Sequence, residues 1–462
     1  MPRRNNKKGK KQQAQKVVKL ESLKQINLNA AGLDIGAAEI WTCVPEERDE
    51  KPVRVFQTFT PDLHALADWL ERCGVETVAM ESTGVYWIPI YEILEGRGVE
   101  VYLVNARHLK NVPGKKTDVW DCQWIQQLHT YGLLNSSFRP EAEMVALRAY
   151  IRHRDNLIRY RTGHVQHMQK ALQLMNIQLT NVISDITGQT GMQIVRAIVA
   201  GEHDPVTLAQ YRDGRCRSSE AEIAKALSGH YQPEHLFALK QALELYDFYT
   251  HQIQACDVEI ERNYAAIKPD FALEQALDPP TQKKRRSKNE PDFDLHRYLY
   301  QLAGVDLTQI HGLDVLTVQQ ILSETGTDMA PWPTVKHFAS WLTLAPHNAI
   351  SGGKILKSQT LKSTNRAAQA FRMAAQSAGR SQSALGAFYR RVRAKHGGPK
   401  AITATAHKIA RIFYHMLKYK QPYNALGQDQ YEQQYQQRVI KNLKRKAKAL
   451  GLELIPLQPT VS

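Results

Sequence analysis

Cysteine is scarce and unpaired in this chain. The five residues, Cys43, Cys73, Cys122, Cys216 and Cys256, lie far apart with no CxxC spacing. That excludes a zinc ribbon or a disulfide framework as the basis of the fold and predicts reduced thiols. Long apolar runs are missing too, so no segment reaches the ~20 residues of a membrane span. The stretch from Pro2 to Lys11 is basic with no apolar core behind it. It is not a secretion signal, and a cytoplasmic or nucleoid location is expected. Acid is the scarcer charge: 45 Asp and Glu stand against 61 Lys and Arg, for a net charge of +16 over 462 residues. Such a balance suits a polyanion, because phosphates reward Lys and Arg contacts through counterion release. Charge alone does not distinguish that from an ordinary basic protein. Hydrophobic residues at 43% exclude a disordered chain, and the length allows two or three domains.

Four of the few acids sit where a nuclease needs them. Asp34 ends the apolar run Ala30-Ala31-Gly32-Leu33, and Glu81 follows Val75-Glu76-Thr77-Val78-Ala79-Met80. Asp118 and Asp121 are three apart in a helix-like segment, so both leave one face. Each acid taken singly reads as surface solvation. Together, two acids at strand ends and a helical pair suit a shared site for Mg²⁺ (or Mn²⁺), since hard cations take oxygen ligands. Two such ions about 3.5–4 Å apart stabilise the attacking and leaving oxygens of a phosphodiester. Clustered acids without a cation would repel one another.

The fold expected is α/β plus all-α, in segments. Residues 1–25 are a basic tail. Residues 26–135 alternate strands and helices as an RNase H or RuvC-like mixed sheet does. Strands are predicted near 30–36, 39–45, 53–58, 76–80 and 99–104, with helices near 87–97 and from 117 or 118. Residues 136–268 are helical. Apolar residues step by three and four from Met144 to Met175 and again from Leu236 to Ile267. These seams fit a helical hairpin within the chain or a coiled coil between chains. Residues 269–296 form a basic linker containing Lys283-Lys284-Arg285-Arg286. Residues 297–420 read as a helical domain, and 421–462 as a basic tail whose helix either tracks phosphates or is simply solvated.

Candidate contacts to nucleic acid follow from the same segments. Lys115 and Lys116 precede the acidic pair. Ile310-His311-Gly312-Leu313 resembles a helix-hairpin-helix turn, whose amides grip a phosphate, and equally a plain helix–helix turn. Ser351-Gly352-Gly353-Lys354 puts a hydroxyl beside two glycines, with Lys357, Lys362 and Arg366 nearby. Glycine neighbours leave the hydroxyl open, but serine attacks only when a neighbour activates it. In isolation the tripeptide is a turn. Ser363 is the rival serine, and its expected role is to cap the helix that follows.

These pieces together resemble the Piv-like DEDD transposases of insertion sequences, the bridge-RNA-guided recombinases. The matching segments are Gly32-Leu33-Asp34-Ile35-Gly36, Met80-Glu81-Ser82-Thr83-Gly84-Val85-Tyr86-Trp87, Lys116-Thr117-Asp118-Val119-Trp120-Asp121, Ser340-Trp341-Leu342-Thr343-Leu344-Ala345-Pro346 and Ser351-Gly352-Gly353-Lys354. The resemblance implies a RuvC-like domain with Asp34, Glu81, Asp118 and Asp121 as metal ligands. It implies a transposase domain in which Ser351 forms a transient 5′-phosphoserine. It also implies donor and target DNA, a noncoding bridge RNA, and a homodimer or homotetramer held by the coiled coil. The alternative on the same acids is a RuvC-like endonuclease in which water attacks.

Overall fold

The computed structural model describes residues 23–82, 84–105, 118–267, 286–424 and 427–455. Two compact units divide at Arg139 and Pro140. The expectations placed on residues 1–22, on the linker at 268–285, and on Lys115 and Lys116 lie outside the described residues.

In the first unit β1 (Ala30–Ile35), β2 (Glu39–Cys43) and β3 (Val53–Gln57) run antiparallel, and β4 (Thr77–Glu81) and β5 (Glu100–Val104) continue parallel to β1. The order β3-β2-β1-β4-β5 makes β1 central, in the mixed sheet expected of an RNase H-like domain. All six residues of β1 are buried or nearly so because both faces of a central strand are covered. Side chains alternate between those faces. Ala31, Leu33 and Met80 join Leu63, Leu66 and Leu70 of α1 (Thr60–Arg72) and Ile90 and Leu94 of α2 (Trp87–Gly96). Ala79 and Val104 instead join Ile125 and Leu128 of α3 (Asp118–Thr130).

The second unit contains the two heptad seams, and each is the other's partner. Helices α4 (Ala142–Leu174) and α5 (Pro233–Ala266) pair antiparallel. Arg154 meets Asp257 while Arg161, two turns later, meets Thr250 two turns earlier. Leu157, Ile253 and Cys256 fill the seam between them. The helix of the first seam stops at Leu174: Asn176 has φ of 55°, and a separate short helix spans Leu179–Val182. A positive φ cannot propagate a right-handed helix.

Beyond the linker, α6 (Val315–Thr325), α7 (Arg366–Ala378), α8 (Ala384–His396) and α9 (Gly398–Tyr419) build a helical body. Its centre is aromatic: Phe338, Phe371 and Phe413 lie within 6.4 Å of one another, ring to ring. The expectation of an all-helical domain needs one correction. Strands β6 (His347–Ser351) and β7 (Lys354–Gln359) form a hairpin between α6 and α7. A last helix, α10 (Gln428–Ala449), packs on α8 through Tyr431. Among the described residues no helix is long and apolar enough to cross a membrane.

Candidate functional site

Strand register brings the first two acids together. Leu33 of β1 is paired with Met80 of β4, and Asp34 and Glu81 are the next residue along each strand. Residues abreast on paired strands point to the same side. That side is the α3 face, because Gly32 and Ala79, two residues earlier, both meet α3. Asp34 and Glu81 are each half-buried.

Helix α3 carries the other two in its first turn. It runs against β1 in the opposite direction: the Ile26 amide donates to the Thr130 carbonyl at 2.8 Å, and Gln126 donates to the Ala30 carbonyl at 3.4 Å. Further along, a Cβ on Gly32 would lie 2.4 Å from both the Cys122 carbonyl and the Gln126 nitrogen. The glycine lets the helix backbone rest on the strand. Continuing that ladder carries the first turn of α3 toward the Asp34 end of β1. Asp118 shares the helical row of buried Cys122, and Asp121 that of buried Ile125. Asp121 is half-buried and Asp118 exposed. Acids in the first turn also face the positive end of the helix dipole.

Cys122, one turn along α3 from Asp118, lies within electrostatic reach of Asp34. Its thiol donates to the Val119 carbonyl at 3.2 Å. Its pKa is driven well above the usual thiol range, first by the sulfur of Cys43, then by burial, with the Asp34 carboxylate adding to the effect. Nearby, burial lowers the His129 pKa to about 4. Its ring bonds Thr77 Oγ1 at 2.9 Å and is neutral in the core. The sequence offered one signal for this packing, a glycine in an otherwise apolar strand, and none for the histidine.

Donor chemistry fits a hard divalent ion, since all four side chains offer oxygen. Among the described residues no three His, Cys, Asp or Glu side chains form a group that could already hold a metal ion.

Ser351 lies at the tip of the β6–β7 hairpin, where it is abreast of Lys354. Gly352 and Gly353 make the two-residue turn with φ of 55° and 75°. Two consecutive positive φ angles are what a type I′ turn demands, and glycine supplies them. Nothing lies within 4 Å of a Cβ at either position, and Ser351 and Lys354 are exposed.

Other expected contacts have structural accounts of their own. Gly312 has φ of 99°, and a Cβ there would lie 2.3 Å from the Ala374 carbonyl of α7, so close packing requires the glycine. Arg366 is ion-paired to Asp155 at 2.6 Å and lies 3.6 Å from Glu324. Lys362 is exposed. Ser363 does not cap α7. Asn365 does, accepting from the Ala368 amide at 2.9 Å, while the Ser363 hydroxyl accepts from the Asn365 amide at 3.0 Å. The cap falls to the residue immediately before the first helical one, whose side chain reaches the third amide.

Both groups of candidate residues fall within regions that match known families. A family model described as "Transposase", of the IS110 DEDD type, matches residues 31–177, which include the four acids. A second, described as "Transposase IS116/IS110/IS902 family", matches residues 306–390, which include Gly312, Ser351 and Arg366. No curated protein matches the chain. With the N-terminal mixed sheet, the helical C-terminal part and both matches in chain order, the protein belongs to the IS110-like family of DEDD transposases, enzymes that cut and rejoin DNA.

Proposed function

We propose that the chain is an RNA-guided recombinase that moves an insertion sequence by transferring DNA strands through a serine. The observation that supports this is the placement of Asp34 and Glu81 abreast at one end of the first unit's sheet, on the side that meets the helix bearing Asp118 and Asp121, within the matched transposase region. These four carboxylates would hold Mg²⁺ or Mn²⁺. When bound, the metal supplies charge stabilisation for the phosphate under attack and the oxygen that leaves.

Ser351 provides the nucleophile. Its Oγ bonds to phosphorus while the P–O3′ bond breaks, which leaves a 5′-phosphoserine and a free 3′-hydroxyl. The serine proton passes to a base and the departing 3′ oxygen gains one. Attack by a 3′-hydroxyl from another strand reverses these steps and restores the serine. Exposure at a hairpin tip, with Lys354 abreast, allows a phosphate to approach this hydroxyl and offers it positive charge. Base pairing by a bridge RNA would select donor and target sites, so the protein itself need not read them. A homodimer or homotetramer completes the reading.

Incubation with donor and target DNA, followed by denaturing gels, tests the serine. A protein–DNA adduct that Ser351→Ala abolishes supports it. Strand cleavage by Ser351→Ala at the wild-type rate, with no adduct from either protein, assigns the attack to water. Calorimetry with Mn²⁺ tests the acids without catalysis: Asp34→Ala should lose the binding seen in the wild type. Sequencing of co-purifying nucleic acid tests the guide, which requires one structured RNA species.

A further inference from the structure

Helix α10 carries its two acids, Asp429 and Glu432, in its first half. From Arg438 to Lys448 it has six bases and no acid. Arg438, Lys441, Arg445 and Lys448 follow at intervals of three and four, so they share one side of the helix. All four are exposed. Like charges at these intervals repel one another. Favourable contact with the negative end of the helix dipole explains bases in the last turn, but not Arg438 or Lys441. The run reads as a surface built for an opposite charge.

The body beneath adds cations to that side. Tyr431 is buried against Ala384 and Ala387 of α8 and anchors α10 there, helped by Arg390 donating to Gln428 at 2.9 Å. Around this anchor the Arg391 guanidinium lies 3.7 Å from the Tyr435 ring centroid and donates to the Tyr431 hydroxyl. Lys408 of α9 lies 4.5 Å over the Phe388 ring. Its pKa is lowered by burial and then by the positive charges of Arg391, Arg438 and Arg411. Three arginines therefore lie within electrostatic reach of Lys408. The carboxylate paired with them among the described residues is Glu432, 3.8 Å from Arg391. Exposed Arg411 and Arg438 form the outer edge of this group, and the basic side of α10 continues from it. The family match ends at residue 390, before α9 and α10.

We infer that Arg411, Arg438, Lys441, Arg445 and Lys448 form a sequence-independent site for the phosphate backbone of duplex DNA, mounted on the helical body through Tyr431. The choice of DNA rests on the transposase reading. The geometry is that of a positioning contact, because arginines and lysines along one helix side meet phosphates and carry no base information. About 15 Å separates Arg438 from Lys448 along a helix. A DNA duplex presents one charge per about 1.7 Å of axis, so several phosphates face that length.

Binding of a random-sequence duplex is to be measured by fluorescence anisotropy from low to moderate salt, in EDTA, with the full chain. EDTA separates this site from the metal chemistry: Asp34→Ala should bind as the wild type does even if it cannot transfer strands. The variant Lys441→Gln/Arg445→Gln/Lys448→Gln changes only exposed side chains. Its log–log salt dependence should be shallower by roughly 2 to 3, at about 0.9 per lost phosphate contact, with affinity at least about tenfold weaker. The matched Lys441→Arg/Arg445→Lys/Lys448→Arg variant should keep both values. An unchanged slope and affinity in the glutamine variant, with its helicity intact by circular dichroism, would overturn the site. So would a loss confined to a duplex RNA of the same length.

Discussion

Asp34 and Glu81 stand abreast on neighbouring parallel strands, one residue past the paired Leu33 and Met80, and both look toward α3. Two carboxylates so placed oppose each other's charge and gain from a shared cation. Neutralising either should therefore separate stability from activity. Asp34→Asn and Glu81→Gln should each reduce strand transfer by at least about a hundredfold while thermal stability without metal stays level or rises. Differential scanning calorimetry beside a strand-transfer assay checks this. A fall of Tm in step with activity would make the acids structural.

Gly32 sets how closely α3 approaches β1. A methyl group 2.4 Å from the Cys122 carbonyl has no room. Gly32→Ala should destabilise the first unit by about 1–3 kcal/mol, as overpacking does, and should displace the turn bearing Asp118 and Asp121. Chemical denaturation gives the first quantity. Mn²⁺ affinity, reduced in the folded variant, gives the second.

Arg154 and Asp257 form a forked ion pair inside the α4–α5 seam, with Nη2 to Oδ2 at 3.1 Å and both side chains nearly inaccessible. Burial raises the Asp257 pKa against the opposing pull of Arg154. Removing one partner strands the other, so Arg154→Ala or Asp257→Ala should cost about 3–5 kcal/mol. The double replacement Arg154→Met/Asp257→Leu should recover most of that loss. A double-mutant cycle by urea unfolding measures it.

His129 makes the first unit acid-sensitive. Its folded pKa is depressed to about 4, against an ordinary 6.5, because the charged ring would be buried. The unfolded chain takes up a proton between those values and the folded chain does not. Stability is thus full above pH 6.5 and declines as pH falls toward 4, by up to about 3 kcal/mol. Hydrogen exchange across residues 118–134 should show this decline, and His129→Gln should flatten it.

The Gly352–Gly353 turn holds Ser351 at an exposed tip, with both glycines at positive φ. Asparagine tolerates that region and valine does not. Gly352→Asn should keep adduct formation near wild type. Gly353→Val should reduce it at least about tenfold with global stability unchanged, since a turn that cannot close costs about 1–2 kcal/mol locally. Adduct yield and a thermal melt, read together, decide between a local and a global effect.

All five strands of the first sheet lie where apolar runs and their alternation predict them. Both heptad seams become helices, and the acids of β1 and β4 are legible as charges ending buried runs. Those features are local: period two and period three to four are written in neighbouring residues. Contacts between distant residues were not legible. A seam carries no mark of its partner, and only the packed chain pairs α4 with α5 through Arg154 and Asp257. A turn glycine looks the same whether it grips a phosphate or, like Gly312, makes room for the Ala374 carbonyl. The hairpin at Ser351 was hidden because its residues are exposed on both sides and show no alternation. Composition and pattern thus determined the elements, and the named segments carried the likeness to the family. Tertiary packing decided that Asp34 and Glu81 stand abreast and what each seam meets, because those depend on residues brought together only when the chain closes on itself.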